Sequence, residues 1–220
     1  MREKFELLYG NTNKVLKINA EAGEVYIVES GAMVSMSDVF EMKAKTGSIG
    51  KTLGRMFSGE SMFIQKFTAK RDGELLLSPK YLGDIEVVNF DGSKRYRLGK
   101  SSFLASTSGI DINTKSGGIN GMLSGEGLIQ MEASGIGQLF ISAYGAIHKK
   151  EIAPMERYIV DSNHLVLWDS NLKYSTQLAS GIFGSIAGGE GLICNFTGPG
   201  TVWIQTRNPA NMLIQPKQNR

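Results

Sequence analysis

Tyr26-Ile27-Val28 before Met33-Val34, Tyr96-Arg97-Leu98 before Phe103-Leu104, and Tyr158-Ile159-Val160 before Leu165-Val166 are three copies of one strand-turn-strand pattern. Each opens a unit that closes on a small-residue turn carrying glutamate: Ser58-Gly59-Glu60-Ser61, Ser124-Gly125-Glu126-Gly127 and Gly189-Glu190-Gly191. The tyrosine-to-glutamate separations are 34, 30 and 32 residues, from 26 to 60, 96 to 126 and 158 to 190. A pattern returning at a near-constant period marks a supersecondary unit that buries its apolar face against its neighbours. The chain therefore reads as one domain of three units, residues 1–80, 81–145 and 146–208, with a tail at 209–220. The repeat describes architecture and assigns no chemistry.

Working outward, 27 glycines against five prolines fall mostly between short β-favouring runs. In the first unit strands are expected at 14–19, 25–29, 32–36, 62–68 and 74–78. Alternation is clearest in Val15-Leu16-Lys17-Ile18 and Met62-Phe63-Ile64-Gln65-Lys66-Phe67. After each glutamate comes an apolar strand, a turn carrying Gly73, Gly137 or Gly200, and a second apolar strand. These second strands are Leu75-Leu76-Leu77, Leu139-Phe140-Ile141 and Val202-Trp203-Ile204, and the arrangement reads as a hairpin three times over. Helical spacing is tolerable only at 49–57, where Gly50 and Gly54 each cost about 1 kcal/mol relative to alanine. That stretch is expected to be a loop or a single turn. The polar tail after Asn208, with Pro209 and Pro216, is expected to fray. The fold class is all-β: a pseudo-threefold β-sandwich or prism in which three units share one core.

Composition narrows the function classes. Hydrophobic residues make up 41% and charged residues 20%, and no run approaches the roughly 20 apolar residues that span a bilayer. Met1-Arg2-Glu3-Lys4-Phe5 mixes charges where a secretory signal needs an apolar stretch, and a single cysteine, Cys194, excludes an internal disulfide. A cytoplasmic location is expected. With a net charge of only +3 and interspersed signs, no footprint of a dedicated nucleic-acid binder stands out.

Catalytic motifs fail one by one. Gly50-Lys51-Thr52 imitates the end of a phosphate-binding loop, but Lys45 stands where its first glycine is needed. His148, His164 and Cys194 are too few for a typical zinc site. Cys194 has no adjacent histidine or basic residue in sequence, so a buried inert thiol is the expectation, and each histidine reads as hydrogen-bonded or exposed. No serine nucleophile elbow occurs. Neither enzyme activity, metal nor cofactor is expected. Tyr26, Tyr96 and Tyr158 read as packing residues whose hydroxyls reach a partner. Glu60, Glu126 and Glu190 carry two readings. They either pin their turns by accepting backbone N–H bonds, or meet at an axis where three carboxylates need a cation or a raised pKa.

Just before each glutamate lies a glycine-rich segment with apolar side chains: Leu53, Met56 and Phe57; Ile119, Met122 and Leu123; Ile182, Phe183 and Ile186. Equivalent units would gather the three segments at one end, as a cap, a self-association face, or a surface for a protein partner or membrane. Lys51 and Arg55 add basic character to the first.

The Gly125-Glu126-Gly127-Leu128 and Gly189-Glu190-Gly191-Leu192 turns, with Asp161-Ser162-Asn163-His164-Leu165-Val166 between them, resemble the mitochondrial biogenesis family of the altered-inheritance-of-mitochondria type. The resemblance covers nearly the whole chain, and the first unit departs from it with Ser61 in place of the second glycine. It implies a fold like the tryptophan RNA-binding attenuation protein, a double-stranded β-helix present three times, and a largely unassigned biochemical function. The resulting expectation is a non-catalytic binding or scaffold protein. RNA binding by fold analogy, or an enzyme with an unrecognised site, are the alternatives.

Overall fold

Strands form where alternation is strict. In Val15–Ala20, Leu16, Ile18 and Ala20 are buried while Val15, Lys17 and Asn19 are partly exposed, as a period of two requires when one sheet face meets the core. The computed structural model describes residues 3–10, 13–44, 64–115, 130–178 and 192–213. Its strands, in chain order, are Phe5–Leu8 (β1), Val15–Ala20 (β2), Val25–Glu29 (β3), Met33–Met36 (β4), Phe40–Ala44 (β5), Ile64–Ala69 (β6) and Gly73–Leu77 (β7). Then follow Ile85–Asp91 (β8), Tyr96–Leu98 (β9), Phe103–Thr107 (β10), Ile110–Lys115 (β11) and Gln130–Ser142 (β12). The last set is Ile147–Ile152 (β13), Arg157–Asp161 (β14), Leu165–Asp169 (β15), Lys173–Leu178 (β16), Leu192–Thr197 (β17) and Gly200–Gln205 (β18). No α-helix occurs among the described residues.

One antiparallel pairing plan occurs three times. In the first set β2 and β4 flank β7, while β3 and β5 flank β6. In the third set β13 and β15 flank β18, while β14 and β16 flank β17. In the second set β12 supplies both central strands: residues 130–135 pair with β9 and β11, and residues 136–142 pair with β8 and β10. Spacing recurs as well. Tyr26, Tyr96 and Tyr158 lie on the second strand of each set, facing Phe67, Ala133 and Phe196. Sixteen residues on, Met42, Ile112 and Tyr174 face the same three partners from the other side. Each third strand breaks register at the corresponding step, between Met33 and Ser35, Phe103 and Ala105, and Leu165 and Leu167. Such a bulge bends and re-aims a strand at a fixed point.

Main-chain bonds join successive sets. β10 pairs with β3, placing Thr107 opposite Tyr26, and β15 pairs with β9, placing Asp169 opposite Tyr96. Two six-stranded sheets result, β5-β6-β3-β10-β12-β8 and β11-β12-β9-β15-β18-β13, continuous with each other through β12. The sheets left over are β1-β2-β7-β4 and β14-β17-β16.

The expected hairpins after each glutamate are not formed. β6 and β7 lie in different sheets, β17 and β18 likewise, and at the corresponding place β12 runs on without a turn. The glycines in question mark crossings packed beneath a neighbour. A Cβ would stand 2.4 Å from Val39 Cγ2 at Gly73, 2.2 Å from Thr107 Oγ1 at Gly137 and 2.6 Å from Leu172 Cγ at Gly200. β1 and β5 lie outside the strands expected from sequence: Phe5-Glu6-Leu7-Leu8 is short, whereas Phe40-Glu41-Met42-Lys43-Ala44 does alternate. The tail also differs: Pro209–Leu213 forms a 3-10 turn, in which the Asn211 N–H donates to the Asn208 carbonyl at 3.2 Å. Proline suits a helix start because its missing N–H would go unpaired there.

Three apolar clusters follow the sheets. One joins Leu16, Tyr26, Phe67 and Leu75 of the first set to Leu104, Ala105 and Phe140 of the second. Another joins Phe90, Tyr96, Met131 and Ile141 of the second set to Val166, Leu167 and Trp203 of the third. The last, with Val160, Trp168, Cys194 and Phe196, draws its buried residues from the third set alone. Fully burying one large apolar side chain stabilises by about 1.5–3 kcal/mol, so the two shared clusters tie the sets together strongly. Between them, the Trp203 indole N–H donates to Glu86 at 2.9 Å, and Gln205 accepts from the Tyr144 N–H while donating to the Asn163 carbonyl.

Gly99 stands at the second junction. Its N–H donates to the Val166 carbonyl at 2.9 Å, and a Cβ there would fall 1.9 Å from the Leu165 carbonyl oxygen. Backbone has no rotamer with which to yield. Gly99→Ala is expected to lower stability by about 1–3 kcal/mol, read as a shifted urea midpoint with an unchanged slope. An unmoved midpoint would mean that β9 and β15 separate at no cost.

Candidate functional site

The nine apolar candidates Leu53, Met56, Phe57, Ile119, Met122, Leu123, Ile182, Phe183 and Ile186 lie outside the described residues, as do Glu60, Glu126 and Glu190. Their anchors are described. The last register pairs before each segment are Ala44 with Gln65, Lys115 with Gln130, and Leu178 with Leu192. Each segment therefore connects the fourth strand of its set to the fifth.

The reactive residue types are placed unambiguously. Cys194 is buried on β17 between Val160 and Thr176, and burial, helped by the Asp161 charge, pushes its thiol up to about 12. A thiol so disposed is a poor nucleophile because the thiolate is the reactive form. His148 is exposed on β13. His164 ends the 3-10 turn Ser162–His164, and its Nδ1 lies 2.6 Å from the Gln205 carbonyl. A carbonyl only accepts, so that nitrogen donates. No group of three metal-ligating side chains occurs among the described residues.

Carboxylates do cluster around turns, though not the glutamates singled out above. Two residues before Tyr26, Glu24 accepts from the Glu21 N–H at 2.9 Å and from the Tyr26 hydroxyl at 2.8 Å, and pairs with Lys4. Two residues before Tyr158, Glu156 accepts from the Ala153 N–H at 2.7 Å and pairs with Lys150 at 2.8 Å. The signal was present in sequence as Glu24-Val25-Tyr26 and Glu156-Arg157-Tyr158, and is interrupted in the second unit by Lys94. Burial raises the Glu24 carboxyl, but the bonds from Lys4, Glu21 and Tyr26 together outweigh it and hold its pKa below 4.5. Lys150 and the Ala153 N–H hold Glu156 low, and hydrogen bonds from Lys43 and Lys70 bring Glu41 to about 2. Burial and the Glu24 charge raise the Tyr26 phenol, which stays a donor. The cleft bordered by Lys4, Glu24, Tyr26, Thr107 and Gln138 sits over the junction of β3 with β10.

Two consecutive lysines of β13, which point to opposite sheet faces, each meet an aromatic ring. Lys149 lies 5.0 Å from the centre of the Trp203 ring, and Lys150 lies 5.4 Å from that of Tyr158. Contacts of this kind hold a cation over the negative ring face.

The fold defines a class: an all-β chain of interlocked antiparallel sheets, with its thiol buried and one histidine tied to backbone. Residues 5–207 match the mitochondrial biogenesis AIM24 family, and the chain belongs to it. It is 32% identical over 204 residues to an uncharacterized protein of Streptococcus pyogenes serotype M6, covering 88% of this chain and 82% of that one. A crystal structure of a Streptococcus pyogenes protein matches it with a TM-score of 0.79, at 30% identity and over 95% of both chains. The family resemblance read from the Gly-Glu turns holds.

Two outcomes follow. Because the folded carboxylates of Glu24, Glu41 and Glu156 titrate below their ordinary value, the unfolded chain binds more protons in acid. Their contribution is fully present above the unfolded pKa near 4.5 and is lost as pH falls through the folded values. Melting temperature is expected to drop from about pH 5 downward, and less steeply in Glu24→Gln; equal slopes in the two proteins would contradict it. Cys194 is expected to resist a thiol reagent at pH 8 until urea unfolds the chain, and rapid native labelling would show an open thiol.

Proposed function

We propose that this protein is a non-catalytic binding or scaffold module, acting by self-association or by docking a protein or membrane surface. The observation that supports this reading most is the position of the three apolar segments. Each segment joins the fourth strand of a set to the fifth, so the same connection carries apolar residues in all three sets. A contiguous apolar surface on a water-facing protein marks an interaction site more often than an accident of composition. Burying several such side chains at about 25 cal/mol per Å² contributes several kcal/mol before association costs. The environments of Cys194 and His164 fit the non-catalytic half of the reading, as one is neutral and enclosed and the other hydrogen-bonded to backbone. The reading places the protein in the cytoplasm. No helix among the described residues is long and apolar enough to cross a membrane.

Replacing Phe57, Leu123 and Phe183 together with serine tests the proposal. The variant is expected to keep its β-type circular dichroism while losing oligomer mass or co-sedimentation with lipid vesicles. Unfolding would make the segments core caps, and a folded variant unchanged in both assays would leave them without a binding role.

A further inference from the structure

The two six-stranded sheets share one composition. Each takes the fourth, fifth and second strands of one set and adds the third, sixth and first strands of the next. The remaining strands form two halves of a third such sheet. β16-β17-β14 supplies the fourth, fifth and second strands, and β4-β7-β2 supplies the third, sixth and first. No described strand pairs with the outer edge of β14 or of β4.

Side-chain exposure agrees with a missing neighbour. The bulge residues of the third strands are Val34, Leu104 and Val166. Leu104 and Val166 are 0% exposed beneath the preceding set, whereas Val34 is 53% exposed. On the facing edge Ile159, at the place of the partly buried Ile27, is 59% exposed. Open edges carrying apolar side chains invite strand addition, because unpaired N–H and C=O groups template another strand.

We infer that β14 of one copy of this chain pairs antiparallel with β4 of a second copy, completing the third six-stranded sheet between molecules. The register is fixed by the two junctions within the chain, where Ala105 faces Val28 and Leu167 faces Leu98. Carried over, Ser35 faces Val160, Met36 faces Ile159 and Ser37 faces Tyr158. One step further, where the Ser170 N–H donates to the Arg95 carbonyl at the second junction, Asp38 faces Arg157. Both are exposed and of opposite charge. The two edges differ, so the contact is head-to-tail and builds a ring or a chain. This goes beyond the apolar-segment reading and does not depend on it, since neither edge includes those segments.

Lysine on an edge strand blocks strand addition, and Val34→Lys and Ile159→Lys alter exposed positions that the folded chain tolerates. Light scattering is expected to give wild-type protein a multiple of 24.0 kDa, and either variant alone the 24.0 kDa of one chain. An equimolar mixture of the two retains one compatible edge pair and is expected to form a species of twice the chain mass. Wild-type protein of single-chain mass at every concentration, variants of unchanged mass, or a mixture that stays at single-chain mass would each overturn the inference. A double variant, Met36→Cys with Ile159→Cys, checks the register, because a disulfide needs Cα atoms about 4.4–6.8 Å apart. Oxidation is expected to give a ladder of linked chains on a non-reducing gel. A bridge closed within one chain would place the two edges together in a single molecule and refute pairing between copies. Loss of self-association in the serine variant of the apolar segments, with these edge variants unaffected, would favour the other reading alone.

Discussion

Everything in this molecule hangs on one backbone contact: the second strand of a set paired, in a fixed antiparallel register, with the third strand of the next. That contact opposes Tyr26 with Thr107 and Tyr96 with Asp169, and the remaining sheet order follows from it. Because strand side chains alternate strictly, a slip of one residue would turn Val28 or Leu98 from the core toward solvent. The bulge in each third strand pins the register further, and the apolar clusters spanning neighbouring sets make the arrangement cooperative.

Much of this is legible in the amino-acid sequence. The three tyrosine-led patterns are the second strands, and the apolar pairs that follow them, Met33-Val34, Phe103-Leu104 and Leu165-Val166, are the bulged third strands. Their visibility has a physical origin, since the residues that fix a register must be apolar and at constant spacing. The glycines at 73, 137 and 200 were equally visible but were read as hairpin turns. Sequence shows that a backbone needs room; it does not show whether the chain turns back or crosses to another sheet beneath a packed side chain. Phe5–Leu8 carries no comparable signal for a related reason, being held by pairing with β2 and by the ring contact of Phe5 with Phe140, neither of which is local.

Site residues divide along the same line. Cys194 reads in sequence as a buried thiol and His164 as hydrogen-bonded or exposed, and the structure has the first buried and the second bonded to the Gln205 carbonyl. The carboxylates of Glu24 and Glu156 are marked in sequence only by standing two residues before a tyrosine, a spacing that does not show that each folds back onto the N–H three residues upstream. Glu60, Glu126 and Glu190, beside glycine in their turns, are more conspicuous in one dimension. Prominence in sequence and hydrogen-bonding consequence are separate properties.

The constant sixteen-residue interval from Tyr26 to Met42, Tyr96 to Ile112 and Tyr158 to Tyr174 has a counterpart in what varies. From there to the fifth-strand partners at Phe67, Ala133 and Phe196 the three copies differ in length, and the first copy also takes two extra residues before Gly73. A connection that threads no junction strand can therefore differ in length without moving a junction, whereas the stretch that carries the junction strands has one length in all three sets.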